Sequence, residues 1–281
     1  MKEFITVIAA LVAAPVLGGL LAGIDRKLTA RLQGRVGPPV LQPFYDVVKL
    51  LHKEPLAVNR VQVSYVFLHL AFMLIVIVLL VTGRDLLMVL FAHAFSTIAL
   101  ILAGMSVRSP YSRIGSQRKI MQMLAYEPIL VLLVVGVYLS TVNFLAATVV
   151  TTPRPLLLTM PLVFLAFLMA VAIKLEKSPF DVASSHHAHQ ELVKGITIEI
   201  AGPYLALVEI TRFCEQAALF AVIAMFWAQN LFVGALLAIA AFVALILVDN
   251  CFARLTTFWM VRYMWTVPML MALSNIIWLY A

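Results

Sequence analysis

Long, uninterrupted apolar runs are the feature of this sequence that most limits its possible folds. The chain is 64% hydrophobic and only 12% charged, and its mean hydropathy is +1.05. Runs of about 20 apolar residues match the thickness of a bilayer core, and their continuity favours helices over an alternating membrane β-barrel. We therefore predict an all-α polytopic membrane protein, a single domain over residues 1–281 with eight transmembrane helices. The spans are expected near residues 4–23, 62–82, 86–106, 121–143, 156–176, 203–227, 230–250 and 259–280.

Basic residues are unevenly distributed between the two sides of this predicted bundle. If the connection after the first span is cytoplasmic, sixteen of the 20 Lys and Arg residues lie on the cytoplasmic side. Such a bias is the usual signature of membrane orientation. It predicts that the three long loops, near residues 24–61, 107–120 and 177–202, are cytoplasmic. Because all three long polar loops are expected on one side, we predict a docking surface for protein partners there.

The first of these loops combines a helix-breaking segment with an amphipathic one. Residues 34–39 read Gly-Arg-Val-Gly-Pro-Pro and exclude a helix. After Pro43, the side chains of Phe44, Val47, Val48 and Leu51 follow the spacing of one helical face. The pattern predicts a cytoplasmic amphipathic helix. Such a helix either lies on the membrane surface or lines the mouth of a site beneath a docked partner.

The loop near residues 177–202 concentrates ionisable residues beside the bilayer, where they are costly and usually mark ion paths or docking surfaces. Its histidines are too closely spaced for a familiar zinc site, so they are interpreted as a polar docking loop or as a proton relay. His69 and His93, inside spans, are interpreted as hydrogen-bonded bundle residues. The ionisable residues of the loop are Asp181, His186, His187, His189, Glu191, Lys194 and Glu199.

Several acids lie within the apolar spans themselves. Glu127 lies early in the fourth span and Glu176 closes the fifth, and neither has an obvious cation nearby in the sequence. In a medium of low dielectric constant such a carboxyl group can take up and release a proton when a neighbouring charge moves. In the sixth span, Glu209, Arg212 and Glu215 are spaced three apart. Pairing of Arg212 with Glu215 along the helix is the structural alternative there.

Four sequence blocks resemble the complex I subunit 1 family, in the order and with the span count of that family. The first runs from Asp25-Arg26-Lys27 through Gln33-Gly34-Arg35-Val36-Gly37-Pro38 and Gln42-Pro43 to Lys49-Leu50-Leu51-His52-Lys53-Glu54. The second contains Gly104-Met105-Ser106, Gly115, Arg118 and Ala125-Tyr126-Glu127. The third contains Pro179-Phe180-Asp181, Glu191-Leu192-Val193-Lys194-Gly195, Glu199 and Gly202, and the fourth is Arg262-Tyr263-Met264-Trp265 with Pro268.

Two departures from that family distinguish a branch. The first loop is shortened between Gly37 and Pro43, and residues 183–190 form a longer, histidine-bearing stretch after Phe180-Asp181. With these changes the chain looks most like the membrane subunit of the energy-converting (Ech-type, group 4) [NiFe] hydrogenases. The resemblance implies a prokaryotic cytoplasmic membrane and a membrane-anchoring role that couples ferredoxin-linked hydrogen chemistry to H⁺ or Na⁺ translocation.

The resemblance also implies partners and site residues. A [NiFe] centre and [4Fe-4S] clusters are expected in the hydrogenase large and small subunits and a ferredoxin-like subunit, with an antiporter-like membrane partner and no redox group or metal in this chain. Nucleic acid is not an expected partner. The implied ion path comprises Glu127, Glu176, Asp181, Glu191, Glu199 and Glu209. The implied partner interface comprises Arg26, Lys27, Gln33, Arg35, Asp46, Lys49, His186, His187, His189 and Lys194.

Two other functions stay open at the level of sequence. One is the quinone-binding subunit 1 of a respiratory complex I, although the shortened first loop places a working quinone pocket in doubt. The other is a scaffold that only anchors a soluble arm. A stand-alone secondary transporter would show repeated halves with broken spans, and the sequence has no visible repeat.

Overall fold

The chain folds into a bundle of long helices. The computed structural model describes residues 2–57, 59–180 and 195–280, and within them it contains ten α-helices and no β-strand. The helices are α1 Lys2–Leu32, α2 Gln42–Leu51, α3 Arg60–Val81, α4 Leu86–Met105, α5 Pro110–Thr141, α6 Leu156–Thr159, α7 Pro161–Lys174, α8 Gly202–Met225, α9 Leu231–Cys251 and α10 Thr257–Tyr280.

The connections between helices gather at two ends of the bundle. At the end that we call the loop-1 face, Ala57 pairs with Ile200 in an isolated β-bridge, and the backbone N–H of Leu255 donates to the carbonyl of Pro179 at 2.7 Å. At the opposite face, Asp85 pairs with Leu145 in the same way. The first loop and the residues before α8 therefore meet at one end, as the positions of the spans predicted.

Five described helices are long and apolar enough to cross a membrane, namely α1, α3, α4, α5 and α9. The chain is therefore an integral membrane protein. Helix α8 has the length but carries Glu209, Arg212 and Glu215, and α7 is apolar but spans only 14 residues. The count of eight spans stays a prediction.

Two helices extend well beyond their predicted apolar spans. Helix α1 continues to Leu32, where Gly34 (φ 71°) ends it through bonds from Gly34 N–H to Arg31 and from Arg35 N–H to Ala30. This is a Schellman motif with glycine in its usual place. Helix α5 begins at Pro110, so the predicted loop 107–120 is mostly helix. The predicted spans ended where charged residues begin, but the helical hydrogen bonds of α1 and α5 continue through those charged residues.

The predicted fifth span is broken. Helix α6 ends at Thr159 and α7 begins at Pro161, and 14 residues rise only about 21 Å. The side-chain carbonyl of Asn275 on α10 accepts from the backbone N–H groups of Leu162 and Val163 at 2.9 and 3.3 Å, and its amide donates to the Thr159 carbonyl at 3.3 Å. A distant buried side chain thus caps the start of α7, where the sequence predicted a continuous helix.

The amphipathic helix predicted after the first loop is present as α2, and part of its apolar face packs against α8. Val47 packs with Ala206 and Phe213 of α8, and Phe44 lies 6.0 Å from the Phe213 ring, measured between centroids. Val48 and Leu51 are instead 51% and 48% exposed. The pattern therefore predicted the helix correctly, and half of its apolar face is left exposed on the surface of the bundle.

Replacing Asn275 with Leu should destabilise the bundle. Two buried N–H donors at the start of α7 would lose their acceptor, which costs roughly 2–4 kcal/mol. Thermal unfolding in mild detergent would show this as a lower Tm. N275D keeps the acceptor oxygen at a helix N-terminus, where negative charge is favoured, and should recover most of the loss. Equal Tm values for N275L and the native chain would contradict the capping role.

Candidate functional site

A buried lysine is the centre of the polar network inside the bundle. The Lys174 ammonium bonds to the Glu215 carboxylate at 2.6 Å and to the hydroxyls of Thr97 and Tyr126 at 3.0 Å each, and its side chain is 1% exposed. The same Glu215 oxygen lies 3.1 Å from Nε2 of His93. Breaking such a pair leaves an uncompensated charge in a dry environment. From the sequence, Lys174 counted only as an interfacial basic residue at the end of a span.

The helical pair predicted within α8 does not form. Arg212 bonds instead to Glu209, at 3.4 Å, and across to Glu176, at 2.7 Å. Glu215 is held by Lys174 from α7. The spacing of three permits the pair. Arg212 and Glu215 instead bind the stronger partners Glu176 and Lys174, because both side chains point into the bundle.

Glu176 joins two helices through one carboxylate. One oxygen accepts from Lys119 of α5 at 3.2 Å and the other from Arg212 of α8 at 2.7 Å. The sequence around Glu176 offered no obvious local cation, and the structure supplies two from other helices. Both cations are more than 30 positions away in the sequence, so the local pattern could not reveal them.

The backbone of Glu176 is held in the left-handed region. Helix α7 ends in a second Schellman motif, with Glu176 N–H bonded to Ile173 and Lys177 N–H to Ala172. Glu176 (φ 54°) occupies the position that is usually glycine. A non-glycine residue pays about 1–2 kcal/mol there, and such strain persists where the surroundings over-determine it. The carboxylate bonds to Lys119 and Arg212 supply that constraint.

A second charged cluster lies where α1, α7 and α9 reach the loop-1 face. Lys177 bonds to Asp25 at 2.6 Å and to Asp249 at 3.0 Å, and Asp249 also accepts from the Ser178 N–H at 2.8 Å. Burial by itself lowers the pKa of Lys177, but the charges of Asp25 and Asp249 outweigh it and hold that pKa above its ordinary value. The sequence did not single out these acids, because each lies far from Lys177 along the chain.

Two cavities with charged residues in their walls lie along these clusters. The larger, of about 170 Å³, is lined by Asp25 and Lys177 at one end and by Glu209, Arg212 and Glu215 at the other. The smaller, of about 30 Å³, lies beyond Arg212 and Glu215 and is also lined by His69 and Lys119. Past His93, toward the opposite face, the next cavity of about 80 Å³ has an otherwise apolar wall. Polar space therefore extends from the loop-1 face inward and ends near His93.

Glu127 lies beside this network on α5, next to a helix irregularity. Pro128 lacks the N–H that would bond to the carbonyl of Leu124, and the indole N–H of Trp265 on α10 donates to that carbonyl at 3.1 Å. One carboxylate oxygen of Glu127 is buried without a hydrogen-bond partner in the structure. Its neighbour Tyr126 bonds to Lys174. Glu127 is thus close in sequence to the network, with an unsatisfied acceptor.

The end of the ionisable loop is clamped between α4 and α5. A Cβ on Gly104 would collide with the Ile196 side chain, and one on Gly115 would collide with the Gly195–Ile196 backbone. Gly202 (φ 57°) approaches the carbonyl of Glu54 equally closely. The half-buried Glu199 lies between these contacts. The first loop and the start of α8 are consequently held in direct contact.

The residues assigned to the partner interface are largely exposed at the loop-1 face. Arg26 pairs with Asp46 at 2.9 Å, and Gln33 bridges Arg35 and Asn250 at 3.0 and 3.2 Å. Lys27 and Lys49 are also exposed. The remaining predicted residues lie outside the described part of the chain: Asp181, His186, His187, His189, Glu191 and Lys194. Their roles stay predictions.

No group of three or more His, Cys, Asp or Glu side chains in residues 2–57, 59–180 and 195–280 is arranged to hold a metal ion. His93 contacts Glu215, and His69 contacts Ser96. Both are hydrogen-bonded bundle residues, as the sequence predicted. The network's chemistry is therefore that of titratable groups whose pairing can change.

Comparison with known proteins finds related chains over nearly the full length. A family model described as NADH dehydrogenase matches residues 4–280. A subunit of the NADH-quinone oxidoreductase from Geobacillus kaustophilus is 28% identical over 95% of this chain and 89% of its own. Its counterpart from Anoxybacillus flavithermus is 30% identical over 73% and 68%. A chain of the membrane-bound sulfane sulfur reductase, an archaeal respiratory membrane complex, has the same fold, with a TM-score of 0.89, 23% identity and coverage of 99% and 100%.

Removing either partner of the Lys174–Glu215 pair should destabilise the bundle by about 3–5 kcal/mol, because the other charge stays buried. The double variant K174M/E215L should be far closer to the native stability than the two single losses added. Thermal or SDS unfolding of K174M, E215L and the double variant measures the coupling. Simple additivity of the two losses would show that the pair does not matter for stability.

Proposed function

The chain belongs to the NADH dehydrogenase subunit 1 family over nearly its whole length, and from that premise we propose that it couples redox chemistry in attached subunits to ion movement. Members of this family are membrane subunits of oxidoreductase complexes. The attached redox arm would dock on the loop-1 face, which would be the cytoplasmic side of a prokaryotic membrane. This chain would carry the coupling but no redox step.

A single observation carries the proposal: buried ion pairs run inward from the loop-1 face across several helices. They begin at Lys177 and its two aspartates, and continue around the larger cavity. Glu176 then links α5, α7 and α8, and Glu215 ends the series at His93. Ionisable groups at membrane depth are expensive, and they usually mark ion or proton pathways. A protein that only anchors a soluble arm would not require so many buried ionisable groups.

Coupling requires that redox events at the loop-1 face reach this network. The contacts of Ala57 with Ile200, and of Gly202 with Glu54, join the first loop to the start of α8. Helix α8 carries Arg212 and Glu215. A shift of the docked loops would therefore change the pairing of these side chains, and with it the protonation of the carboxylates.

The remaining acids extend the proposed path. Glu199 and Glu209 lie on the loop-1 side, and Glu127 lies beside Tyr126 within the bundle. Asp181 and Glu191, outside the described residues, would also belong to the path. Because the wall beyond His93 is apolar, an ion would leave this chain sideways. An antiporter-like membrane partner would complete the passage of H⁺ or Na⁺.

Within the family, we propose the energy-converting [NiFe] hydrogenase branch, with ferredoxin as the donor. The [NiFe] centre and [4Fe-4S] clusters would then lie in partner subunits. The shortened first loop supports this proposal. Val40 and Gly37 of that loop lie in close contact with α1 near Gly23 and Lys27, so the loop packs directly against the helix. The larger cavity is walled mainly by charged side chains, which suit water and ions better than an isoprenoid tail.

The second candidate is the quinone-binding subunit 1 of a respiratory complex I. The Geobacillus and Anoxybacillus relatives favour it, since both are subunits of NADH-quinone oxidoreductases. Both candidates use the same membrane network, so they differ in the partner and not in this chain's coupling role.

Replacing Glu176 with Gln should uncouple the complex, because Lys119 and Arg212 would lose their shared counter-charge. We expect donor-driven electron transfer to continue while ion uptake by inverted vesicles falls by roughly 100-fold or more, within the range for loss of a proton-transfer group. The exposed Glu3 provides the matched control, and E3Q should leave ion uptake unchanged. Full ion uptake in E176Q would favour a scaffold.

Purification of the native complex in mild detergent should distinguish the two candidates. We expect stoichiometric nickel, iron–sulfur subunits and ferredoxin-dependent hydrogen evolution. A complex without nickel that reduces a quinone analogue would replace the hydrogenase proposal with the complex I alternative. Metal analysis and activity on the same preparation provide both measurements.

A further inference from the structure

His69 is held in one tautomer by contacts within the bundle. Its Nδ1 lies 2.8 Å from the backbone carbonyl of Ser96 and 2.9 Å from the Ser96 hydroxyl oxygen. A carbonyl oxygen only accepts hydrogen bonds, so Nδ1 carries the hydrogen. The Ser96 hydroxyl in turn donates to the His69 carbonyl at 2.8 Å. In the neutral ring, Nε2 is therefore the atom with the free lone pair.

That lone pair has no partner among the described residues, although it is buried. Nε2 of His69 has no hydrogen-bond partner in the structure, and the residue is only 4% exposed. A buried acceptor left unsatisfied is costly, so a water molecule is the natural partner. The ring also forms part of the wall of the smaller polar cavity, whose volume of about 30 Å³ exceeds what one water molecule needs.

The other groups that line this cavity decide what it can hold. Cations face it from α5, α7 and α8, the carboxylate of Glu176 faces it from the end of α7, that of Glu215 from α8, and a hydroxyl from α4. With His69 neutral, three positive and two negative charges leave the wall with one net positive charge. The carboxylates that a sodium ion would need are already held by these cations, whereas water can donate to Nε2 and accept from the cations. The cations are Lys119, Lys174 and Arg212, the α4 hydroxyl belongs to Thr97, and Thr197 also lines the cavity.

We propose that the smaller cavity is a water site and that His69 is a proton-loading residue of the network. When a change of pairing in the network protonates Glu176 or Glu215, a water molecule bonded to Nε2 transfers a proton to His69 while taking one from that carboxyl. The resulting imidazolium keeps its Nδ1–H on Ser96 and returns the second proton through Nε2. The lost proton leaves a carboxylate, so charge is conserved at each step. This rests on the proposed coupling function and makes H⁺, not Na⁺, the ion in this segment.

High-resolution cryo-electron microscopy of the intact complex tests the water site without any variant. We expect a water peak about 2.7–3.2 Å from Nε2 of His69, the range of ordinary hydrogen bonds, with a second contact to Glu176, Glu215 or a cation. A dry cavity, or a protein side chain on Nε2, would overturn the proposal.

The variant H69Q tests the proton transfer, because glutamine preserves polarity and approximate size but cannot carry a proton at neutral pH. In inverted vesicles of the intact complex, electron transfer should persist while proton uptake falls roughly 100-fold, as for loss of a general acid–base group. The control is E3Q on the exposed Glu3 at the start of α1, away from the docking surface, which should behave as the native complex.

The E176Q measurement separates the two proposals. If E176Q is uncoupled and H69Q is fully coupled, the proton-loading role of His69 is wrong while the coupling function stands. If both variants are fully coupled, both proposals fail. If H69Q does not assemble, the water peak at Nε2 in the native complex still decides the site.

Discussion

The cost of burying charge governs the centre of this structure. Lys174 and Glu215 lie where neither could stay ionised alone, so each depends on the other and on Thr97, Tyr126 and His93. Because these partners come from four helices, the pair also determines how α4, α5, α7 and α8 approach one another. Glu176 repeats the arrangement nearer the loop-1 face, between Lys119 and Arg212.

Backbone polar groups impose the same demand, since the apolar interior offers no water to satisfy them. The break before α7 is tolerated because Asn275 caps it, and the proline in α5 is tolerated because Trp265 takes the carbonyl it releases. Both side chains come from α10, the last helix. Irregular helices in this bundle are thus completed by residues remote in sequence.

The two properties together make the network responsive. Side chains with ionic partners on several elements change their pairing when one element moves, and the carboxylate pKa changes with the pairing. The loop-1 face is where such movement would begin, because the first loop and the start of α8 touch there. The strained backbone of Glu176 lies between that face and the buried pair. A docked redox partner would have direct access to this region.

The sequence by itself determined the class of the protein, the family, the amphipathic helix α2 and the presence of acids at membrane depth. Apolar run length, charge bias and local motifs are short-range properties, so they can be recognised without a structure. Only the tertiary structure decided which charges pair. Glu176 pairs with Lys119 and Arg212, and Lys177 pairs with Asp25 and Asp249. A desolvated charge is stabilised by the opposite charge nearest to it in space, whatever the distance between the two residues along the chain. The helical spacing of Arg212 and Glu215 predicted a pair that stronger cross-helix partners displaced.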